Sequence, residues 1–271
     1  SIMGSDDQLS PGALRNWLDV ADETGAEVVL AEIVLDGSAV PTPPTRVRPS
    51  RRPRRATGLD LARDRLSYRS APLGLLSREA VARTGARLLP AAQTGEDVPF
   101  VTRLFAGASV ALARGTPYLV GTDAADRTTA VSRPVREELL AVNHLVDDPW
   151  FLALPLEQRR AVATKLLRIH VFGAVLYRPD AGWWEEHERT ALADITAKLL
   201  RAAPGCERPL SRADHDLLEA VLDPDVPASR MIELARARRR HGTLRTLLPH
   251  DWRRALDPEA PARFMIASLA A

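Results

Sequence analysis

Cysteine is almost absent from this chain: Cys206 stands alone in 271 residues. An intrachain disulfide and a thiolate metal cluster are therefore both excluded. Aromatic residues make up only 5% of the sequence against 45% hydrophobic residues overall, so the core has to be built from Leu, Val and Ala. No apolar run approaches the roughly 18 residues that a membrane-spanning helix needs. Ser1-Ile2-Met3-Gly4 has neither the basic start nor the apolar centre of a signal peptide. These features together point to a cytoplasmic location. An excess of one charge sign is missing too. Lys+Arg total 37 and Asp+Glu 35, and a net charge of +2 does not mark a nucleic-acid binder.

The basic residues that are present are almost all arginine. Arginine suits bidentate grips on phosphate or carboxylate, although a compositional bias of the genome would produce the same usage. The length allows one large domain or two smaller ones.

The opening alternates helix and strand. Ser10-Pro11 reads as an N-cap and first-turn pair for a helix that runs to about Thr24, where Gly25 stops it. Val28 to Leu35 is strongly strand-forming and Asp36-Gly37 turns it. Pro41 to Arg55 then carries four prolines before Pro53, and Arg46, Arg48, Arg51, Arg52, Arg54 and Arg55. Proline at that density denies it regular structure. Two readings stand: a solvated loop, or a flexible basic arm over an anionic ligand, polymer or the inner face of a membrane. Without interleaved aromatics as stacking platforms, nucleic acid is disfavoured.

Leu59 to Arg69 reads as a helix, Ala71 to Leu76 as a short strand, and Arg78 to Arg83 as a helix ended by Gly85. Val98 to Ala108 reads as a buried helix, Thr116 to Val120 as a strand, and Asp123 to Arg133 as polar turn. From Pro134 the period is helical. Helices are expected over Val135–Val146, Leu156–Tyr177, Trp183–Ala202, Ser211–Leu222 and Pro227–Leu248, with Ser211 and Asp214 resembling a capping box. The expected class is α/β with a mixed sheet over residues 1–133, followed by an α-helical domain over 134–271.

Most chemically suggestive side chains have ordinary explanations. His144, His170, His187, His215, His241 and His250 show no zinc-site spacing. Glu185-Glu186-His187-Glu188 lacks the second histidine of a metal helix. Trp183 and Trp184 read as helix-packing residues or as a platform for an acceptor sugar. Arg236, Arg238, Arg239 and Arg240 read as a solvated helix face, or as a contact with a membrane surface or anionic polymer.

One stretch resists such treatment: Gln93-Thr94-Gly95-Glu96-Asp97-Val98-Pro99-Phe100. A carboxylate pair at a helix start commonly answers free backbone N–H groups. Its setting suggests more. The acidic turn Asp6-Asp7, Ser-Pro-Gly-Ala-Leu from Ser10, Glu23-Thr24-Gly25-Ala26-Glu27-Val28-Val29, the Arg78-Glu79 helix start and Gly95-Glu96-Asp97-Val98-Pro99-Phe100-Val101 occur in that order. This order resembles the second half of a family 2 glycosyltransferase of the GT-A fold. The flavour is that of bacterial enzymes building cell-surface polysaccharide or wall polymer. The resemblance covers about residues 4–133.

That resemblance implies an inverting transferase taking a nucleotide-sugar donor and a hydroxylated glycan acceptor. It puts the catalytic base on Asp97 with Glu96 beside it. Asp6 and Asp7 take the metal and ribose side, holding Mg²⁺ or Mn²⁺, and Arg127 meets the diphosphate. The first aspartate of the family's acidic motif is Gly4 here. The nucleotide-binding βαβ units that precede that motif in the family have no counterpart in this sequence, so the chain is expected to be a fragment or half of an assembly. The strand around Val29 would then have an unpaired edge, completed by a second copy or a partner chain. The alternative function is a non-catalytic interaction or assembly module derived from a glycosyltransferase.

Overall fold

The computed structural model describes residues 3–4, 6–35, 56–121 and 132–269, with side chains to residue 266. The arginine-rich arm and Arg127 lie outside the described residues. The chain divides into two compact units. One comprises Ser1–Leu89, Asp97–Arg127 and Ile266–Ala271; the other comprises Pro90–Glu96 and Thr128–Met265.

The first unit is built on a mixed four-stranded sheet. Its strands are β1 (Gln8–Leu9), β2 (Val28–Leu35), β3 (Gly74–Leu76) and β4 (Val110–Val120), in the order β1-β4-β2-β3. β2 and β4 are the parallel interior pair, and the short β1 and β3 flank them antiparallel. The expected open edge at Val29 is therefore not found. Val29 pairs with Ala111 on one side and Leu75 on the other. Alternate β2 residues are buried on both faces, Val28 and Leu30 on one, Val29 and Ala31 on the other, as interior parallel strands require.

Helix α1 (Ala13–Thr24) covers one face. Trp17, Ala13, Val29, Ala31, Leu73, Ala113 and Tyr118 form a single buried cluster with it. Gly25 ends α1 in the left-handed conformation as expected, but the N-cap is Gly12. The Ser10 hydroxyl is used elsewhere, donating to the carbonyl of Pro117 at 2.7 Å. Helix α2 (Arg78–Thr84) begins at Ser77, whose hydroxyl accepts from the Ala80 N–H, and stops at Gly85. Helix α3 (Asp97–Gly107) buries Val98, Phe100, Val101, Leu104 and Phe105.

Two expectations fail in this unit for local reasons. Residues 59–69 form turns with one 3₁₀ turn at Leu66–Tyr68 rather than a helix. The Asp60 carboxylate accepts from the N–H groups of Ala62 and Arg63, and Asp64 accepts from that of Asp60. Such side-chain turns compete with helical hydrogen bonds. Arg65, at φ 55°, then breaks the helical path. β4 is also twice the length expected, because Val110 to Ala113 pair fully with β2.

The β2–β4 ladder contains an irregularity. Ala31 pairs with Ala113, but two residues later Ile33 pairs with Tyr118. The four residues Arg114 to Pro117 therefore stand opposite Glu32 alone, three more than a regular ladder uses. Their backbone groups are answered by side chains. The Asn16 amide donates to the Arg114 carbonyl at 3.0 Å, Trp17 Nε1 donates to the Thr116 carbonyl at 3.3 Å, and the Gly115 N–H donates to Glu32 at 3.0 Å.

The second unit is helical: α4 (Val135–Glu138), α5 (Leu140–Asp147), α6 (Pro149–Ala153), α7 (Leu156–Leu166), α8 (Phe172–Leu176), α9 (Glu186–Ala202), α10 (Arg212–Leu222), α11 (Ala228–Ala237) and α12 (Leu244–Leu247), followed by α13 (Pro261–Leu269), whose end belongs to the first unit. The α/β class with a helical region is as predicted. Several long helices are interrupted. A π-helical turn at Leu167–Val171 separates α7 from α8. The last long helix is broken by turns through Gly242, at φ 84°. Trp183 closes a 3₁₀ turn rather than opening α9; Trp184 is buried and donates from Nε1 to the Arg178 carbonyl.

Candidate functional site

The acidic turn is held by β4. Tyr118 points to the α1 face, fully buried, and its hydroxyl donates to Asp7 Oδ2 at 2.6 Å. The Gly121 N–H donates to Asp7 Oδ1 at 3.0 Å, and the Gly4 N–H donates to Oδ2 at 3.1 Å. Burial first, then the Asp7 carboxylate, raise the Tyr118 hydroxyl well above the ordinary phenol range. It therefore stays a donor at neutral pH. Asp6 beside it is exposed. A Cβ at Gly121 would overlap the Asp6 carbonyl oxygen, so the two chain segments meet backbone to backbone there.

The Gly4 departure has a physical counterpart. A Cβ at residue 4 would come within 2.5 Å of Asp7 Oδ2. The Gly4 N–H also lies 3.2 Å from the Tyr118 hydroxyl oxygen. An aspartate at this position would have to displace the carboxylate that Tyr118 holds.

The Glu96-Asp97 pair straddles a junction. Gly95 takes φ 69°, Glu96 is exposed in the turn, and Asp97 is the half-buried first residue of α3. A carboxylate in that first turn meets the positive end of the helix. The apolar residues behind it anchor α3 on a rigid footing. Asp97 belongs to the compact unit that contains Asp6 and Asp7, whereas Glu96 belongs to the helical unit. Arg127 is outside the described residues.

Sequence reasoning missed Tyr118. It sits 111 residues from Asp7, and only the scarcity of aromatics singles it out. The Ser211–Asp214 pair was read as a capping box, and only half of it forms. Ser211 accepts from the Asp214 N–H at 3.1 Å, but the Asp214 carboxylate turns away to Arg238 at 2.8 Å and Arg168 at 3.5 Å. Arg238, expected on a solvated face or in contact with a membrane surface or anionic polymer, is instead largely enclosed in an ion pair and lies over the Phe172 ring. Among the described residues, no group of three or more His, Cys, Asp and Glu is placed to hold a metal ion. An open groove of about 690 Å³ lined by Asp216, Asp223, Arg230 and Arg245 includes none of the predicted site residues.

No protein-family model and no curated protein matches the sequence. Solved structures do match the fold. The chain is similar to S. aureus TarS 1–349 in complex with UDP-GlcNAc, at TM-score 0.63 and 14% identity, over 86% of this chain and 66% of that one. It is similar to TarS 1–349 alone at TM-score 0.62 and 14% identity, over 87% and 65% of the two chains. The complex of TarS 1–349 with UDP gives TM-score 0.61 and 15% identity over the same shares. The chain thus spans about 65% of the length of these TarS structures, and within that span it shares their fold.

Proposed function

We propose that this chain is the acceptor-side and metal-side part of an inverting glycosyltransferase of family 2 type. The reaction moves a sugar from a nucleotide-diphosphate donor to the hydroxyl of a polysaccharide, wall polymer or glycoconjugate. The observation that carries the reading is the shared fold with a protein crystallised with UDP-GlcNAc. The order of motifs in the sequence supports it independently.

In this reading Asp97 is the base. The acceptor oxygen attacks the anomeric carbon, its proton passes to the Asp97 carboxylate, and the bond to the diphosphate oxygen breaks on the opposite face. One base and a leaving group on opposite faces give inversion. The base must come within about 3 Å of the acceptor hydroxyl. Glu96 orients the acceptor or its neighbour, and Arg127 donates to the diphosphate.

Asp6 and Asp7 would hold Mg²⁺ or Mn²⁺, which when bound neutralises charge on the leaving diphosphate. Their oxygens fit a modest share of such a site. Three hydrogen bonds to Asp7 leave about one of its four lone-pair positions open. Mg²⁺ is commonly held by one or two carboxylates with water and substrate phosphate completing the shell. That same commitment of Asp7 to hydrogen bonds, together with Gly4, favours the second reading, a non-catalytic module that kept the fold.

Calorimetric titration with UDP-GlcNAc and UDP, with and without Mn²⁺, separates the two. Saturable, metal-dependent binding supports the transferase. Its absence, in a form of the protein that includes upstream nucleotide-binding units, supports the module.

A further inference from the structure

Beyond α11 the helical unit carries a feature that sugar transfer does not use. Leu244 is 73% exposed, Trp252 71% and Leu256 65%. They fall within thirteen residues. Trp252 and Leu256 are four apart across a single capped turn, in which the Asp251 carboxylate accepts from the Arg253 N–H. Large apolar groups left this open in one short segment require an explanation that scattered surface leucines do not.

The surrounding charge indicates what covers them. Residues 236–266 contain eight arginines and three acidic residues, in a chain whose total charge is only +2. Two of the eight are committed to ion pairs elsewhere in the helical unit: Arg238 to Asp214 and Arg245 to Asp216. Arg236, Arg239, Arg240 and Arg253 are exposed in the same stretch of chain. Of the three acids, Glu259 is buried against Arg168 and Asp257 faces Arg254.

Exposed Trp and Leu interspersed along the chain with exposed arginine is the chemistry of an interfacial membrane contact. The indole sits at headgroup depth, the leucines reach the acyl boundary, and the guanidinium groups meet anionic headgroups. Among the described residues, no helix is long and apolar enough to cross a membrane. We propose that the segment from Arg236 to Leu256 docks this protein on an anionic bilayer surface, lying on it without spanning it. One indole among aliphatic side chains makes a poor stacking platform, which argues against single-stranded nucleic acid.

The test is co-sedimentation of the full chain with vesicles of phosphatidylcholine alone, or of phosphatidylcholine with about one-quarter phosphatidylglycerol. Binding is expected to the anionic vesicles only and to fall steeply with added salt. Arg239→Gln with Arg240→Gln should weaken it by about an order of magnitude or more, at about fivefold per arginine near the surface. Leu244→Glu with Trp252→Glu should abolish it, with the melting temperature unchanged because both side chains are exposed.

Three results would overturn the proposal. One is equal binding, or none, to both kinds of vesicle. Another is anionic-vesicle binding that survives Leu244→Glu with Trp252→Glu, which would leave a basic patch for a soluble polyanion. The third is a dimer by light scattering that these two substitutions dissolve, which would make a second copy the occupant.

Discussion

The Tyr118 hydroxyl donates to Asp7 across 111 residues of sequence, at 2.6 Å. It ties the acidic turn to the end of the central strand. Removing that donor by Tyr118→Phe leaves the ring packed and strips one charge-assisted hydrogen bond, at a cost of about 1.5–3 kcal/mol. Urea unfolding reads the loss. If Asp7 also holds a cation, Mn²⁺-dependent binding of UDP should weaken in the same variant. A variant as stable as the parent would mean that the Gly4 and Gly121 N–H groups suffice to hold the turn.

Asp97 and Glu96 are expected to differ. Asp97→Asn keeps the volume and loses the base, and should lower turnover by about 10²–10⁴ with donor binding intact. Glu96→Gln, altering an exposed turn residue, should cost less. Turnover at saturating donor, with circular dichroism as a folding control, checks both. Equal small losses would reduce the pair to helix-terminus charges, and a loss confined to Glu96→Gln would shift the base to that residue.

Asp214 makes stability depend on pH. Burial works to raise its pKa, but Arg238 and Arg168 outweigh that and hold it below the ordinary aspartate range. The folded value is therefore lower than the unfolded one. The stabilisation is complete above the unfolded value of about 3.9 and is lost as pH falls through the folded value. Asp214→Asn should destabilise the protein by roughly 3–5 kcal/mol at neutral pH, since it leaves two buried guanidinium groups short of a carboxylate. Urea midpoints measured down the acid range should fall for the parent and flatten for the variant.

Cys206 should be inert in the folded state. It is fully buried, and burial pushes its thiol up to about 12. Labelling by a thiol reagent at mildly alkaline pH should track unfolding rather than the supply of reagent. Rapid, complete labelling of the native protein would contradict this.

What could be read from the sequence was what local chemistry decides. Gly25 and Gly85 announced their helix ends, Ser211 took its cap, and Val28 to Leu35 could form little but a strand. The Leu59–Arg69 segment misled because its apolar spacing is helical while Asp60 and Asp64 fold it into turns. Gly242, by contrast, carried a legible break signal in a helix read straight through it. For the candidate site, the carboxylates were legible as types at element boundaries. Their holders were not. Tyr118 reaches Asp7, and Arg168 and Arg238 reach Asp214, only through packing that brings distant segments together.

The irregularity in β4 preserves the side that Tyr118 faces. Ala113 and Tyr118 are an odd number of residues apart, yet both lie on the α1 side, matched to Ala31 and Ile33. In an unbroken strand, odd spacing means opposite faces. Glu32 faces the four residues Arg114 to Pro117, three more than a regular ladder uses, and that odd excess returns Tyr118 to the face of Ala113. Deleting Arg114, Gly115 and Thr116 together would leave Ala113 and Tyr118 two residues apart, on one face of an unbroken strand. The hydrogen bond to Asp7 should then survive, while the bonds that Asn16 and Glu32 make to the excursion are lost. The excursion thus serves Asn16 and Glu32, and Tyr118 would keep its side without it.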